Sequence, residues 1–306
     1  MNTQTATAIR DESATFYSLP PMIAGEQLPV SQLKSGEEAE VLNFLAARPL
    51  HTVVMSSMVR DNGLDSPLNR GTFYACRNLL GQLEGVALIG HATMIEARSA
   101  TAIEALARAA QGSPQKHMII GEQERIEQFW NYYAERGQSQ RLACRELLFE
   151  QRWPIAVRAE VRGLRLATLD DLELILPVHA QMAYEESGIN PLETDEAGFR
   201  SRYTQRIEKG RVWVWVDAGR LIFKADIIAE TPDCIYLEGI YVNPEERGKG
   251  YGLRCLSQMS RSLLMRADSI CLMVNEQNKE AHGFYQAAGY KLRSVYDTIF
   301  LQKKAN

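Results

Sequence analysis

Residues 235–252, IYLEGIYVNPEERGKGYG, combine features that together could bind a phosphate group. An alternating apolar strand ends at Val242, and the chain turns at Pro244 into the glycine-rich run 247–252. An apolar-periodic helix begins directly after this run. Glycines allow the main chain to approach phosphate oxygens closely, and the first turn of a helix presents free N–H groups. The segment therefore predicts a backbone cradle for an anion.

The spacing of the glycines excludes the two most familiar nucleotide-binding loops. A P-loop requires GxxxxGK[ST], which this segment does not contain. A Rossmann fingerprint requires a third glycine at position 255, where the chain has Cys255. The pattern that remains is RxxGxG, beginning at Arg247 and following a strand that ends in V-x-P.

A second pattern follows at a regular distance, after the helix and a short strand at 269–274. It has the form N-x-x-A-x-x-x-Y-x-x-x-G-[FY], and its positions are filled by Asn278, Ala281, Tyr285, Gly289 and Tyr290. Two patterns in this order, separated by one helix and one strand, resemble the acyl-CoA-binding signatures of the GNAT superfamily of N-acetyltransferases. The resemblance implies an acetyltransferase whose co-substrate is acetyl-CoA and whose acceptor is an amine.

The resemblance also implies which residues contact the cofactor. Main-chain groups of the strand would meet the pantetheine amides and the reaction oxyanion, because this strand splays from its neighbour in GNAT proteins. Arg247 and Lys249 would add positive charge near the phosphates. Asn278 would contact the pantetheine arm, cap its helix, or do both. The implied cofactor-binding set is Ile240, Tyr241, Val242, Arg247, Gly248, Lys249, Gly250, Tyr251, Gly252, Leu253, Asn278 and Tyr285.

Acetyl transfer to an amine requires a neutral amine, a stabilised oxyanion and protonation of the departing thiolate. An aliphatic ammonium has a pKa near ~10.4, so a base or a water chain must remove a proton. Glu238 is the candidate base, because it shares a strand face with Ile240 and Val242. Tyr285 is the candidate acid. The alternatives are an ion-paired surface carboxylate for Glu238 and a core tyrosine for Tyr285.

The acceptor is less well defined by the sequence. The loop between the first two helices of the C-terminal half contains Tyr184, Glu185 and Glu186, and the two carboxylates could attract a cationic amine. The alternative is a solvated helix end. Small-molecule, peptide N-terminal and lysine acceptors all fit this pattern equally well.

The length of 306 residues suggests two domains. The order β-α-α-β-β-β-α-β-α-β is predicted over 163–304, and a fainter version of the same order is predicted over 30–150. The first copy contains no glycine where the cradle should lie, at 97–102, so it is interpreted as a degenerate unit that is structural or helps to shape the acceptor pocket. The predicted fold is α/β with a mixed sheet, a tandem GNAT-like acyl-CoA N-acyltransferase fold. Its predicted parts are an irregular extension at 1–27, a degenerate domain at 28–155 and a catalytic domain at 160–306.

Composition restricts the remaining possibilities. The net charge of −4 gives no indication of nucleic acid or an anionic membrane as a partner. Five scattered cysteines, and histidines without metal-ligand spacing, predict reduced thiols and no metal. The chain contains no long apolar run or signal-peptide pattern, so a cytoplasmic monomer or homodimer is expected. A catalytically silent acyl-CoA sensor and an interaction protein stay open as alternatives.

Overall fold

The computed structural model describes residues 28–113, 117–156 and 159–302, so the predicted extension at 1–27 lies outside the described residues. The described residues form a single mixed sheet of twelve strands, accompanied by nine α-helices. The strands are β1 Val30–Gln32, β2 Gly71–Arg77, β3 Leu83–Gly90, β4 Ala92–Ala97, β5 Met118–Glu122, β6 Gln140–Gln151, β7 Leu164–Leu166, β8 Val212–Asp217, β9 Arg220–Glu230, β10 Ile235–Val242, β11 Ile270–Asn275 and β12 Lys291–Leu301. The helices are α1 Glu38–Leu45, α2 Pro49–Asn62, α3 Ala100–Gln111, α4 Gln123–Tyr133, α5 Leu172–Ser187, α6 Pro191–Thr194, α7 Glu196–Glu208, α8 Tyr251–Leu263 and α9 Lys279–Ala287.

The two halves of the chain exchange their last strands. The strand order across the sheet is β1-β2-β3-β4-β5-β12-β6-β11-β10-β9-β8-β7. The order is symmetric about its centre, with β12 from the second half beside β5 and β6 from the first half beside β11. Each half therefore completes its sheet with a strand from the other half.

Continuous hydrogen-bonded ladders join the exchanged strands. β6 is antiparallel to β11 from Gln151 to Glu146, and on its other edge it is antiparallel to β12 along almost its whole length. β12 in turn pairs with β5 from Tyr296 to Phe300. Because an unpaired strand edge buried in a sheet is costly, removing either half would leave the other without an internal strand. The division into 28–155 and 160–306 stays a prediction, since each segment contributes a strand to the other half-sheet.

The predicted order of elements in the C-terminal half is present, with the short α6 added between the first two long helices. A capping box between Thr168 and Asp171 precedes α5, which begins at Leu172. Pro177 lies inside α5, which continues beyond it to Ser187. In the N-terminal half, sequence reasoning missed β4. This strand follows β3 after a single residue, and its buried Glu96 interrupts the apolar pattern.

Helices from both halves cover the faces of the central sheet. α8 is strongly amphipathic and buries Cys255, Leu256, Met259 and Leu263 in the core of the second half. α2 of the first half reaches across to pack on β9 and β10 of the second half. The N-terminal half thus contributes directly to the surroundings of β10, the strand with the predicted base.

Candidate active site

β10 separates from its parallel neighbour partway along its length. It pairs with β11 only from Ile235 to Leu237, so the main chain from Glu238 onward faces an opening on that edge. On its other edge, the pairing with β9 shifts register between Glu238 and Tyr241. Gly239, inside this bulge, has a φ of +59°, in the left-handed region that favours glycine. The splay expected of the cofactor-binding strand is therefore present.

A buried ion pair holds the bulge in place. Lys224 of β9 is fully buried and donates from Nζ to the carbonyl oxygen of Gly239 at 2.7 Å and to Oδ2 of Asp226 at 3.0 Å. The hydroxyl of Tyr203 donates to the other oxygen of Asp226 at 2.7 Å. A Cβ atom at position 239 would lie 2.7 Å from Nζ and 2.8 Å from Oδ2. Glycine is therefore required here for space as well as for φ.

The loop that follows β10 has the shape expected of an anion cradle. Gly248 and Gly250 have φ values of +74° and +78°, and α8 begins immediately afterwards at Tyr251. In the described part of the chain, no side chain caps the first turn of α8, so its N–H groups face the loop. Gly252 meets a different requirement, because a Cβ there would lie 2.8 Å from the side chain of Val242. This close approach sets the helix tightly against β10.

The two cations of this loop are partly engaged by the protein. Nε of Arg247 donates to the carbonyl oxygen of Val242 at 3.2 Å. Nζ of Lys249 lies 2.8 Å from Oε2 of Glu246, and both cations are exposed. An exposed ion pair contributes little to stability, so either side chain can turn toward a bound phosphate at small cost.

Five glutamates line a cavity of about 300 Å³ beside the open part of β10, and two of them, Glu96 and Glu122, are paired with arginines. The other three are Glu238 of β10, Glu186 at the end of α5, and Glu146 of the exchanged strand β6. We call these three residues the acid triad. The rest of the wall is largely apolar and includes Val53 and Met58 of α2 from the N-terminal half. A cationic group that enters this cavity would therefore meet negative charge in apolar surroundings.

Burial raises the pKa values of all three carboxyl groups. Burial, followed by the charges of Glu238 and Glu146, raises the pKa of Glu186 from 4.5 to about 7. Burial is also the main reason that the pKa values of Glu146 and Glu238 are raised. Glu186 and Glu238 are both exposed to water, and both line the cavity. Water in the cavity therefore screens part of this effect.

Two hydroxyl groups orient members of the acid triad. Tyr236, buried on the same face of β10, donates to Oε1 of Glu238 at 2.7 Å. Thr298 of β12 donates to Oε2 of Glu146 at 2.6 Å. Both bonds favour the ionised carboxylates and oppose the effect of burial on their pKa values.

The structure separates the predicted acceptor residues. Glu185 and Glu186 are both exposed, but only Glu186 lines the cavity, and Glu185 accepts a hydrogen bond from Gln181 one turn earlier at 2.9 Å. Tyr184 is also exposed, and it lies outside the lining of the cavity. Of the three residues, geometry therefore favours only Glu186 as part of an acceptor site.

The second sequence motif is placed on α9. Oδ1 of Asn278 accepts from the N–H of Ala281 at 3.1 Å, so the helix-cap role is present. Tyr285 is 9% exposed and packs against the rings of Phe149 and Tyr290. Burial raises the pKa of its phenol to about 12. The hydroxyl thus stays protonated over the physiological range, as a proton donor must.

The corresponding opening in the first half is occupied by side chains. β4 pairs with β5 only at Ala92 and Thr93, so these strands also separate. Arg125 lies in this gap, where it donates to the carbonyl oxygen of Ala97 and pairs with Glu96 at 3.3 Å and Glu122 at 3.2 Å. The first half therefore lacks the glycine cradle, and the side chain of Arg125 lies across its strand opening.

Sequence reasoning missed Glu146 and the buried pair Lys224–Asp226. Glu146 reaches the site only because β6 crosses into the second half-sheet, and no local pattern signals that crossing. Lys224 and Asp226 carried a usable signal, since two opposite charges on one face of an apolar strand must be paired if the strand is buried.

Among the described residues, no group of histidine, cysteine, aspartate and glutamate side chains is arranged to hold a metal ion. No helix in the described ranges has both the length and the apolar character needed to cross a bilayer.

Known proteins share this architecture. Residues 224–299 match the family model described as FR47-like protein. No curated protein matches the sequence significantly. Similar solved structures include a Drosophila protein at 13% identity and TM-score 0.68, which covers 90% of this chain and 99% of its own. A tandem GNAT protein from the clavulanic acid biosynthesis pathway aligns at 14% identity and TM-score 0.56, covering 91% of this chain and all of its own. A GNAT-family acetyltransferase from Colwellia psychrerythraea aligns at 13% identity and TM-score 0.53, covering 90% and 100%.

These similarities define the class of protein by its fold. The chain has the GNAT fold in a two-domain arrangement, as the two sequence motifs predicted. This fold supports acyl transfer in general, whereas the substrates depend on the particular site.

Proposed function

We propose that this protein transfers the acetyl group of acetyl-CoA to a primary amine, and that the reaction takes place where β10 leaves β11. The glycine loop 247–252 holds the pyrophosphate, and the pantetheine chain lies in the opening beside Ile240–Val242. This arrangement places the thioester next to Glu238. The acceptor amine approaches from the cavity on the α2 and α5 side of the sheet.

The observation that carries the proposal is the position of the acid triad at the open segment of β10. An amine arrives as an ammonium ion and is attracted by negative charge in a poorly solvated cavity. Glu238 takes a proton from it, and the raised pKa of this carboxylate makes that transfer more favourable than to an ordinary glutamate. The acid triad therefore both collects and deprotonates the acceptor.

The chemical step follows from these positions. The amine nitrogen attacks the thioester carbonyl carbon, and main-chain N–H groups of residues 240–242 bond the resulting oxyanion. The nitrogen of the intermediate loses one further proton to solvent, and the intermediate collapses with cleavage of the carbon–sulfur bond. Tyr285 gives its proton to the departing CoA thiolate and recovers one from solvent, while the amide product leaves through the acceptor cavity.

The N-terminal half has a defined part in this proposal. It supplies Glu146 and the α2 wall of the cavity, and Arg125 lies across its own strand opening. A catalytically silent acyl-CoA sensor would need the cradle alone. The positioned base and the acid cavity therefore favour the enzyme over the sensor.

Acetyl-CoA binding by the full-length chain tests the cofactor part of the proposal. Gly250→Asp places an anion in the cradle, so calorimetry should show loss of acetyl-CoA binding. Gly81→Asp is a matched control, because Gly81 has a φ of +77° and nothing within 4 Å of its added Cβ, but lies in a turn of the first half. Equal affinity in the two variants would show that the loop is not the cradle.

Release of free CoA thiol in the presence of a panel of primary amines tests the chemical part. We expect thiol release that depends on the amine and yields one acetylated amine per CoA. Acetyl-CoA binding without transfer to any amine would favour the sensor.

A further inference from the structure

A second and larger cleft, of about 1270 Å³, lies next to the cavity of the acid triad. Consecutive residues line the two spaces at three places: Ser187 follows Glu186 on α5, His91 precedes Ala92 of β4, and His117 precedes Met118 of β5. Both halves of the chain form its walls. The two spaces are therefore adjacent in the fold.

Four basic residues line the cleft, and we call them the basic wall: Arg70, His91, His117 and Arg202. The imidazole rings of His91 and His117 are stacked, with centroids 4.9 Å apart and planes 12° from parallel. The main-chain carbonyl of Arg70 accepts from the N–H of His91 at 2.8 Å. Arg202 comes from α7 in the other half and pairs with Asp195 at 3.0 Å.

Arg70 has two unusual properties. Its φ is +52°, in the left-handed region. A residue other than glycine is strained there, and the conformation persists only when the surrounding structure enforces it. Its guanidinium forms no hydrogen bond or ion pair with any residue that the structure describes. The chain therefore holds a strained arginine in the lining of the cleft, where its charge interacts with the carboxylate of Asp195 without a hydrogen bond or ion pair between them.

Positive charge at the basic wall exceeds the negative charge that faces it. Asp195 is the acidic residue in the described lining, against two guanidinium groups. Burial and then the charge of Arg202 lower the pKa of Arg70. Burial, Arg70, His117 and Arg202 together lower the pKa of His91 to about 4. An anion bound between the two arginines would relieve this repulsion.

We propose that the acceptor carries, besides its amine, a carboxylate or phosphate group that binds to Arg70 and Arg202. This inference rests on the proposed function, since it concerns the other end of the same substrate. Arginine is well suited to such groups, because its planar fork of N–H donors matches two oxygen atoms of either anion.

The two charged regions also select the orientation and class of the acceptor. A substrate with an amine at one end and an anion at the other is attracted at both ends in one orientation and repelled at both in the reverse orientation. A diamine would place its second ammonium group against the basic wall. The cleft thus selects an amino-acid-like or aminoalkyl-phosphate-like acceptor over a polyamine.

Steady-state transfer rates on matched acceptors test this proposal. ω-Amino carboxylates and ω-aminoalkyl phosphates of three to eight carbons would be compared with n-alkylamines and diamines of equal length. We expect the best anionic acceptor to exceed its neutral counterpart in kcat/KM by at least about tenfold, the effect of one hydrogen bond to a charged group. The two anionic series distinguish a carboxylate from a phosphate site. Equal rates for anionic and neutral acceptors at every length would overturn the proposal.

Substitution of the arginines locates the effect. Arg70→Gln and Arg202→Gln should each reduce the ratio of anionic to neutral kcat/KM at least several-fold. Arg200→Gln is the matched control, since Arg200 lies on the same helix but pairs with Glu173 outside the cleft. If the Arg200 variant also loses the ratio of anionic to neutral kcat/KM, or if none of the three variants loses it, the preference for anionic acceptors does not come from the basic wall.

A binding measurement keeps this test separate from the proposed function. In full-length Gly250→Asp protein, in which the CoA cradle is blocked, inorganic phosphate or glutarate should still bind, and the added Arg70→Gln change should abolish that binding. If no amine is acetylated but this result holds, the proposed function fails while the anion site stands. If neither anion binds in the Gly250→Asp protein, the anion site is refuted.

Discussion

Replacement of Glu186 by glutamine should stabilise the protein, and the gain should depend on pH in a defined direction. The pKa of Glu186 is raised to about 7 in the folded chain, against 4.5 for an ordinary glutamate. Below pH 4.5 the carboxyl is neutral in both folded and unfolded states and costs nothing. Between 4.5 and 7 the unfolded state ionises first, so folding stability is lost as the pH rises.

The size of the effect follows from that change in pKa. A rise from 4.5 to about 7 corresponds to at most about 3.4 kcal/mol at 1.36 kcal/mol per pH unit. Part of the Glu186 side chain is exposed to water in the cavity, which screens the interaction. We therefore expect Glu186→Gln to raise the free energy of unfolding by roughly 1–2 kcal/mol at pH 8 and by much less at pH 5.

Urea denaturation followed by tryptophan fluorescence at the two pH values measures this difference. Glu185→Gln removes the neighbouring carboxylate, which is exposed and bonded to Gln181. Its effect on the free energy of unfolding should be nearly the same at both pH values. If the Glu186 and Glu185 variants behave alike, the acid triad is not a confined cluster of charges, and the electrostatic argument for amine capture is wrong.

Three further substitutions test the site. Glu238→Gln cannot accept a proton, so turnover should fall by ~10²–10⁴-fold and the acidic limb of the pH–rate profile should disappear. An unchanged profile would exclude Glu238 as the base. Tyr285→Phe keeps the ring packed and removes the proton donor, so kcat should fall at least about tenfold while acetyl-CoA affinity, measured by calorimetry, changes little. A full-rate variant would assign thiolate protonation to water. Gly239→Ala adds a Cβ 2.7 Å from Nζ of Lys224 at a φ of +59°, so it should lower the thermal midpoint and the transfer rate together. Normal stability would mean that the bulge can relax.

The conformation of the glycine loop 247–252 was predictable because a cradle of this kind is a local structure. Its shape depends on φ values at Gly248 and Gly250 and on the N–H groups of the next helical turn, all within a few residues. The same holds for Asn278, whose side chain caps the helix that it begins. The order of the long helices and strands was also predictable from hydrophobic periodicity. The exception is β4, which contains a buried charge and follows β3 with almost no turn.

The acid triad was only partly predictable, because it depends on contacts between distant segments. Glu238 was predicted as the base from its position on β10. The choice between Glu185 and Glu186 required the direction in which the end of α5 faces, and periodicity alone does not give that direction to within one residue.

The sequence by itself predicted a glycine cradle for an acyl-CoA-like anion in the second half and no such cradle in the first half. Only the tertiary structure showed that β6 and β12 change places and that Glu146 thereby enters the site of the other half. The physical reason is that a strand edge offers the same N–H and C=O groups to any partner. Which of two similar strands fills the gap beside β11 is decided by packing across the whole sheet, between residues roughly half the chain length apart.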